Sequence, residues 1–314
     1  PTYYPPRKTP KECYEQIIAD LTDAEQYAPD NDNSDRTKMT KTVAQAMLAK
    51  VYAEKEVQDY DKVIAYADKV MNTTGVELED SYETLWGYDE TAKDCMKRNT
   101  KEGILEVHWT TGSGNWETWM YGRQLDNWDY YFTWAKWITP SRDIINDFDK
   151  EGDEVRKNQA IVYYACTWSN YYPASNYPFM YKLRSSYNNV YWVRLADIIL
   201  MKAEAEAYKG NLAESAKLVN QIRKRAKLKE LTSDKTGSKE SMIEAVLHER
   251  RLELAFEGER WFDLCRNNKV EKYLNGIDNR DSGRIRQVRQ FDSNSYLLPI
   301  PQTALDQNTN LEQN

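Results

Sequence analysis

The chain has 314 residues, of which 40% are hydrophobic and 30% carry a charge. This composition is typical of a globular protein, and the length is enough for one large domain or two ordinary ones. The net charge is -7 with both signs interspersed, which argues against nucleic acid as a partner because such proteins present a basic surface. No apolar run approaches the ~20 residues that a membrane-spanning helix needs.

Cysteine and histidine are too few and too scattered for the commoner metal and catalytic sites. The cysteines form no CxxC pair, so neither disulfides nor a zinc knuckle is required. The histidines are far apart in the sequence, which argues against histidine-rich metal sites and histidine acid/base catalysis. We therefore expect no metal and no cofactor. These residues are Cys13, Cys95, Cys166, Cys265, His108 and His248.

A helix is predicted for residues 11–28, whose apolar positions recur at helical spacing, and a polar loop follows it. In this loop Asp30, Asp32 and Ser34 stand like the first ligands of a calcium loop. However, Asp35 stands where such a loop needs glycine, and Lys41 where it needs glutamate. A solvated loop is therefore the better interpretation, and calcium is permitted but not indicated.

Residues 40–75 predict a helical hairpin. The stretch 40–56 places its apolar residues on one face, and Asp59 is the expected N-cap of a second helix. Small alanine side chains at the helix contacts allow the two helices to approach closely. Two antiparallel helices with a short connection resemble a tetratricopeptide unit.

A second hairpin is predicted near residue 192. Residues 191–210 are expected to form one helix, closed by Gly210. Asn211, with Glu214 three residues later, is a capping-box variant that opens a helix over 211–228.

A third hairpin is predicted near residue 241. Ser241 with Glu244 opens a helix that ends at Gly258, and a short helix over 259–269 completes the pair. The three hairpins do not recur at a fixed period, so the chain is not a regular solenoid.

The sequence from about residue 76 to 190 has little helical periodicity and is rich in Trp, Tyr, Asn, Gly and Ser. Residues 103–109 predict a short strand, and 138–149 predict a helix of one or two turns with Pro140 near its start. The predicted fold is therefore mostly α. Tetratricopeptide-like helical hairpins form a scaffold over 1–75 and 191–314, and the part between them is a large irregular aromatic-rich insertion. Loops carried on a rigid scaffold are where binding surfaces are usually built.

Residues 109–137 hold six of the ten tryptophans of the chain. Core packing would explain any one of these rings, but the group is interleaved with polar side chains that a sealed core would avoid. A sugar has an apolar face and a hydroxyl-bearing edge, which an aromatic ring and a neighbouring Asn or Asp satisfy together. Trp109 and Trp137 flank the stretch and are expected to be structural. The candidate ligand-binding residues are Trp116, Trp119, Trp128, Tyr130, Trp134, Asn115, Asp126 and Asn127.

The segment 249–266 is dense in charge and allows two interpretations. Glu257 and Asp263 could act as the acid/base pair of a glycan-cleaving enzyme. Alternatively, charges at helical spacing form ion pairs, and planar Arg side chains bind carboxylates that lock one helix onto the next. We favour this structural interpretation.

Four motifs in the second half of the chain are specific to one family. They read RLADIILMKAEA (194–205), VNQIRKRA (219–226), ERRLELAFEGERWFDLCR (249–266) and YLLPIPQTALDQNTNLEQN (296–314). The chain thereby resembles the SusD/RagB family of outer-membrane nutrient-binding lipoproteins, the surface glycan-binding partners of TonB-dependent transporters in Bacteroidetes. The likeness extends over essentially the whole chain. Asp197 stands where the family usually has Glu, which leaves the expected fold intact.

The resemblance implies one SusD-like domain over 1–314 and no enzymatic activity. It implies a surface-exposed outer-membrane lipoprotein that binds an oligosaccharide and delivers it to a SusC-like transporter. It also implies an amino-terminal part, with the lipid-carrying Cys, that would precede Pro1, so that the membrane anchor is not in this chain. Two alternatives stay open: a glycan-cleaving enzyme, and a peptide-binding or scaffolding member of the same fold.

Overall fold

The computed structural model describes residues 4–89, 91–92, 94–109, 138–165, 171–185, 187–282 and 289–313. The helices of this part are α1 (Pro10–Tyr27), α2 (Lys41–Ala53), α3 (Tyr60–Met71), α4 (Tyr82–Trp86), α5 (Arg142–Glu151), α6 (Glu154–Ala160), α7 (Leu195–Lys209), α8 (Leu212–Arg225), α9 (Ser233–Thr236), α10 (Lys239–Glu253), α11 (Arg260–Arg266), α12 (Val270–Leu274), α13 (Ile277–Arg280) and α14 (Gln302–Gln307). The strands are β1 (Tyr88–Asp89), β2 (Asp94–Cys95), β3 (Gly103–Val107), β4 (Ile161–Tyr164), β5 (Tyr177–Met180) and β6 (Val190–Arg194).

Helices dominate these residues, which confirms the mostly α fold predicted from the sequence. The strands pair only two by two, as antiparallel β1–β2, β3–β6 and β4–β5. Helix α5 has 10 residues and is longer than the one or two turns predicted. Within the described ranges, no helix combines the length and the apolar character that crossing a membrane requires.

Helix α7 is the centre of the scaffold. Every residue from Leu195 to Ala207 is buried, as expected of a helix that is packed on all sides. Helices α2 and α3 pack against each other and against α7. Helices α8 and α10 likewise pack against each other and against α7. The predicted hairpins therefore share one hydrophobic core, to which Ile198, Ile199 and Leu200 of α7 contribute fully buried side chains.

The first hairpin forms for the reasons that its sequence indicates. Asp59 accepts a hydrogen bond from the backbone N–H of Lys62 and so caps α3, as predicted. Val63, Ala67 and Val70 are spaced by four and three residues and are fully buried, which places them on one helix face.

Strand β6 replaces the predicted helix start at residue 191, so this prediction was wrong. The strand is antiparallel to β3, with Val190 opposite Val107. Burial alternates along it, because Tyr191 is buried and Trp192 is exposed, and β-branched and aromatic residues favour such a pleated, half-buried setting. The strand runs directly into α7 without an intervening turn, so the helical periodicity of α7 concealed it in the sequence.

Two helix starts differ from the predicted capping boxes. Asn211 makes no side-chain cap, and its Nδ2 donates to Glu206 of α7 at 2.7 Å. Helix α10 begins before Ser241, because Ser238 accepts from the Ser241 N–H and forms a capping box with it. Gly210, by contrast, closes α7 as predicted, in the left-handed conformation that glycine adopts readily.

The polar loop after α1 pairs its acidic side chains with lysines of the same region. Lys41 Nζ lies 2.9 Å from Asp30, and Lys38 Nζ lies 2.8 Å from Asp32. Among the described residues, no group of three His, Cys, Asp or Glu is arranged to hold a metal ion. The carboxylates that mimic a calcium loop are thus engaged with cations of the chain itself.

The charge-dense segment forms ion pairs in the core, as the structural interpretation predicts. Arg250 of α10 is fully buried, and its guanidinium lies 2.7 Å from Asp197 of α7 and 2.8 Å from Asp263 of α11. Arg266 of α11 likewise lies 2.8 Å from Glu204 of α7. These contacts connect α7, α10 and α11, so the charges hold the helices together.

We expect Arg250→Met to lower the free energy of unfolding by about 3–5 kcal/mol, because it removes a fully buried cation that Asp197 and Asp263 share and leaves each of them with one remaining cation, Lys50 or Arg266. Urea unfolding followed by circular dichroism measures the change. Arg289→Met is the matched control, since this arginine is 77% exposed and lies 3.8 Å from Asp292. We expect the control to change the free energy of unfolding by less than about 0.5 kcal/mol. Equal effects of the two substitutions would contradict the role assigned to Arg250.

Acid should destabilise the protein partly through Glu151. Contacts with His248 and with Arg223 hold the pKa of Glu151 at about 2, below the ordinary 4.5 of the unfolded chain. The resulting stabilisation is complete above pH 4.5 and is lost as the pH falls towards 2. We therefore expect Glu151→Gln to lose less stability than the wild type on acidification, by on the order of 1–2 kcal/mol. Parallel curves of unfolding free energy against pH would refute this.

Candidate ligand-binding site

A cavity of about 290 Å³ lies where α4, β5, β6 and the turn after α10 meet. Most of its lining is apolar or aromatic, and three polar side chains complete it. Small-molecule sites have this mixture, because apolar walls contact most of the ligand and a few polar groups orient it. The lining residues are Trp86, Ile138, Met180, Lys182, Leu183, Asn189, Val190, Tyr191, Phe256, Glu257 and Gly258.

One wall is an aromatic pair. Trp86 is the last residue of α4, which Ser81 caps, and Tyr191 lies on β6. The two rings meet edge to face with their centroids 5.1 Å apart. The Tyr191 hydroxyl donates to the backbone oxygen of Leu85 at 3.2 Å. The wall is therefore fixed by contacts between elements that are far apart in the sequence.

Another wall is the turn after α10. The sequence predicted that this helix would end at Gly258, but it ends at Glu253. It can end there because Tyr82, Lys182 and Arg194 donate to the Glu253 backbone oxygen, which replaces the helical hydrogen bond.

Within this turn, Phe256 has a φ of 65° and Gly258 a φ of 87°. The left-handed conformation costs a residue with a side chain about 1–2 kcal/mol. Such strain persists where the surrounding structure enforces it, and it is common at binding sites. The position of Phe256 in the cavity wall is therefore maintained against the preference of its own backbone.

Two of the polar side chains are held by ion pairs. Lys182 Nζ lies 2.5 Å from Glu257 Oε1, and Arg194 Nε lies 2.7 Å from Glu257 Oε2. Burial lowers the pKa of Lys182 to about 8, although Glu257 favours the charged form. The ammonium group also lies 4.7 Å from the centre of the Trp86 ring. The Lys182 and Glu257 side chains therefore have defined positions before any ligand binds.

The third polar side chain, Asn189, is positioned by a carboxylate behind the cavity. Glu106 is 1% exposed and accepts hydrogen bonds from Asn189 Nδ2 at 3.2 Å and from the Thr100 N–H at 2.8 Å. His108 Nε2 lies 2.7 Å from the same carboxylate. Glu106 thus joins β3, the loop before it and the residue that precedes β6.

One donor at the cavity has no partner among the described residues. The indole N–H of Trp86 is buried, and no described atom accepts a hydrogen bond from it. An unsatisfied buried donor costs about 1–3 kcal/mol.

The predicted ligand-binding residues lie outside the described residues, as does Trp137. However, one described neighbour of their segment lines the cavity, and the other is connected to its lining by hydrogen bonds. Ile138 lines it and is 46% exposed. The backbone oxygen of Trp109 accepts from Arg98, which also donates to the backbone oxygen of Tyr187, two residues before Asn189. The residues outside the described ranges are Trp116, Trp119, Trp128, Tyr130, Trp134, Asn115, Asp126 and Asn127.

Sequence reasoning missed the cavity because its lining comes from five separate segments. The structure also reveals an exposed tryptophan in a strand that is otherwise largely buried. Trp192 is 63% exposed and follows Tyr191, which lines the cavity. A large exposed aromatic residue beside a cavity is a candidate for ligand contact.

A larger cleft of about 930 Å³ lies between the ends of α5 and α8 and the first half of α10. Its lining is mostly charged. The carboxylates of Glu151 and Glu244 in it are paired with Arg223 and Lys269. Because this cleft is a solvated charge network and not an apolar pocket with a few polar groups, the smaller cavity is the better candidate site.

The acid/base pair considered for an enzyme is not present as a pair. Glu257 contacts Lys182 and Arg194, whereas Asp263 contacts Arg250 and Arg266 in the core. Burial alone would raise the pKa of Asp263, but the two arginines outweigh it and hold this pKa below its usual value. A general acid needs a raised pKa, so Asp263 is not suited to that role.

Comparison with other proteins relates the whole chain to known sequences. It is 28% identical over 350 residues to SusD-like protein P2 of Formosa agariphila, which covers 98% of this chain and 65% of that protein. The chain therefore spans about two-thirds of the length of this relative.

The fold is similar to those of solved structures. A SusD superfamily protein from Bacteroides vulgatus superposes with a TM-score of 0.76 at 22% identity, over 100% of this chain and 70% of the other. A laminarin binding SusD-like protein superposes with a TM-score of 0.72 at 24% identity, over 98% and 69% of the two chains. The model of the SusD family matches residues 24–314. This chain therefore belongs to the SusD family.

Proposed function

We propose that this protein binds an oligosaccharide at the cell surface and passes it to a TonB-dependent outer-membrane transporter without cleaving it. The observation that carries the proposal is the cavity with apolar walls and three fixed polar side chains. Membership of the SusD family supports it, and one structural neighbour is a laminarin binding protein.

The cavity suits a sugar because it offers both kinds of contact that a sugar needs. The rings of Trp86, Tyr191 and Phe256 supply apolar surface, and the polar side chains of Lys182, Asn189 and Glu257 line the same space. Ion pairs and hydrogen bonds already hold the polar side chains, so a ligand orders few of them on binding.

The aromatic segment is proposed as the continuation of this site. Ile138, at one end, lines the cavity. At the other end, the Trp109 backbone oxygen accepts from Arg98, which also donates to the lining residue Asn189. We therefore propose that Trp116, Trp119 and Trp128, with their neighbours Asn115, Asp126 and Asn127, bind further units of the same oligosaccharide. The exposed ring of Trp192 would add to this surface.

Delivery and location are proposed from the family resemblance. It implies a SusC-like transporter as the partner and a surface-exposed lipoprotein of the outer membrane as the setting. The scaffold needs no catalytic group for this role, since binding and release are sufficient.

Titration calorimetry against oligosaccharides tests the proposal. The panel contains laminarin, starch, mucin-type, N-glycan and hemicellulose fragments. We expect one class to bind, and the Trp116→Ala/Trp119→Ala/Trp128→Ala variant to bind it at least about tenfold more weakly, a loss of about 1.4 kcal/mol. The control replaces Phe262, Leu297 and Leu298 by Ala, because these apolar side chains are also exposed.

Three outcomes of this titration would count against the proposal. No binding to any saccharide would refute the proposal. Equal affinity of the triple variant and the wild type would refute the part assigned to the aromatic segment 109–137. Release of reducing ends during incubation would favour the enzyme alternative instead.

Filling the cavity tests its own contribution. Val190 lines the cavity, whereas Val57 lies between α2 and α3 and is not part of the lining. We expect Val190→Trp to abolish or strongly weaken saccharide binding by occupying the space, and Val57→Trp to leave the affinity within about twofold. Thermal unfolding checks that both variants are folded, and equal binding by the two would show that the cavity is not used.

A further inference from the structure

The charged atoms at the cavity are already engaged with one another. Glu257 Oε1 accepts hydrogen bonds from Lys182 Nζ at 2.5 Å and from Arg194 Nη2 at 2.8 Å. Glu257 Oε2 accepts one from Arg194 Nε at 2.7 Å. Lys182 Nζ also donates to the backbone oxygen of Glu253 at 3.1 Å. Among the described residues that line the cavity, the cation, Lys182, is therefore already paired with a carboxylate.

The ion-pair network behind the cavity has no spare cation either. Among the described residues, Arg194 connects Glu257 to further arginines and carboxylates, and the carboxylates outnumber the lysine and arginine side chains by one. His248 also contacts one of these carboxylates, Glu151. The linked cations are Lys182, Arg194, Arg225, Arg156 and Arg223. The linked carboxylates are Glu257, Glu253, Glu102, Glu249, Asp153 and Glu151.

We infer that this cavity selects neutral saccharide units and rejects units that carry a carboxylate or a sulfate. This inference rests on the proposed function and names the substrate class of its site. A buried anion is costly unless a cation pairs with it. Here an anionic ligand would lose its hydration, find Lys182 and Arg194 already paired with Glu257, and lie close to Glu257, whose like charge repels it.

The protonation of Lys182 should tune this selectivity. Its ammonium faces Glu257, Glu253 and Arg194, and it lies near the rings of Tyr82 and Trp86. Because burial lowers the pKa of Lys182 to about 8, the cavity loses a positive charge as the pH rises through this value. Glu257 then keeps only Arg194, so rejection of anionic units should increase at higher pH.

A matched ligand pair tests the inference on the wild-type protein. The probes are gluco- and manno-oligosaccharides and the same compounds with the terminal C6 hydroxymethyl oxidised to a carboxylate. We expect the oxidised ligand to bind at least about tenfold more weakly at pH 7, and the ratio of the two Kd values to grow at pH 9. The carboxylate is ionised at both values, so its own charge does not change.

Equal or tighter binding of the oxidised ligand at both pH values would overturn the inference while leaving the proposed function intact. If neither probe of a pair binds but another neutral saccharide does, the pair is made from that saccharide. If no saccharide binds at all, the proposed function fails, and this inference fails with it.

Glu257→Gln provides an independent test, because it removes one negative charge and leaves Lys182 and Arg194 facing a neutral amide. We expect the ratio of Kd values, oxidised over neutral, to fall by about fivefold or more in this variant. Glu240→Gln is the control, since it makes the same charge change on an exposed residue at the other end of α10. A ratio that is the same in both variants would contradict the role of Glu257, and the wild-type pH series decides the matter if Glu257→Gln does not fold.

Discussion

The ion pairs of Arg194 are the interaction on which both the scaffold and the cavity depend. This arginine lies where β6 becomes α7, and its guanidinium contacts Glu102 before β3, Glu253 at the end of α10 and Glu257 in the following turn. A planar group with five donors can make these contacts simultaneously, which a lysine could not. Arg194 thereby sets where α10 ends and how the cavity wall after it is placed.

Buried ion pairs hold the helices together at their junctions, as apolar side chains do along the helix faces. Their net contribution to stability is modest as long as each has a partner, because the desolvation of the ions offsets most of their attraction. We interpret their main effect as specificity of docking, since a displaced helix would leave a buried ion unpaired. Arg250, Asp197 and Asp263 illustrate this between α7, α10 and α11.

The candidate site lies at the edge of this network and takes its properties from it. The polar side chains of the cavity are the outermost members of buried hydrogen-bond groups: Glu257 and Lys182 on one side, and Asn189 through Glu106 on the other. The apolar walls are built from a strand, a short helix and a strained turn, all supported by the helical core. A site supported in this way can be selective without a large rearrangement.

The sequence by itself determined the helices of the scaffold, because their apolar spacing and caps such as Asp59 are local properties. It also indicated that the charges of 249–266 form ion pairs. The ligand-binding role of the aromatic residues within 109–137 stays a prediction. Only the tertiary structure decided that β6 is a strand, since its partner β3 is distant in the chain. The same holds for the end of α10 at Glu253 and for the cavity, because both depend on contacts between residues that lie far apart in the sequence.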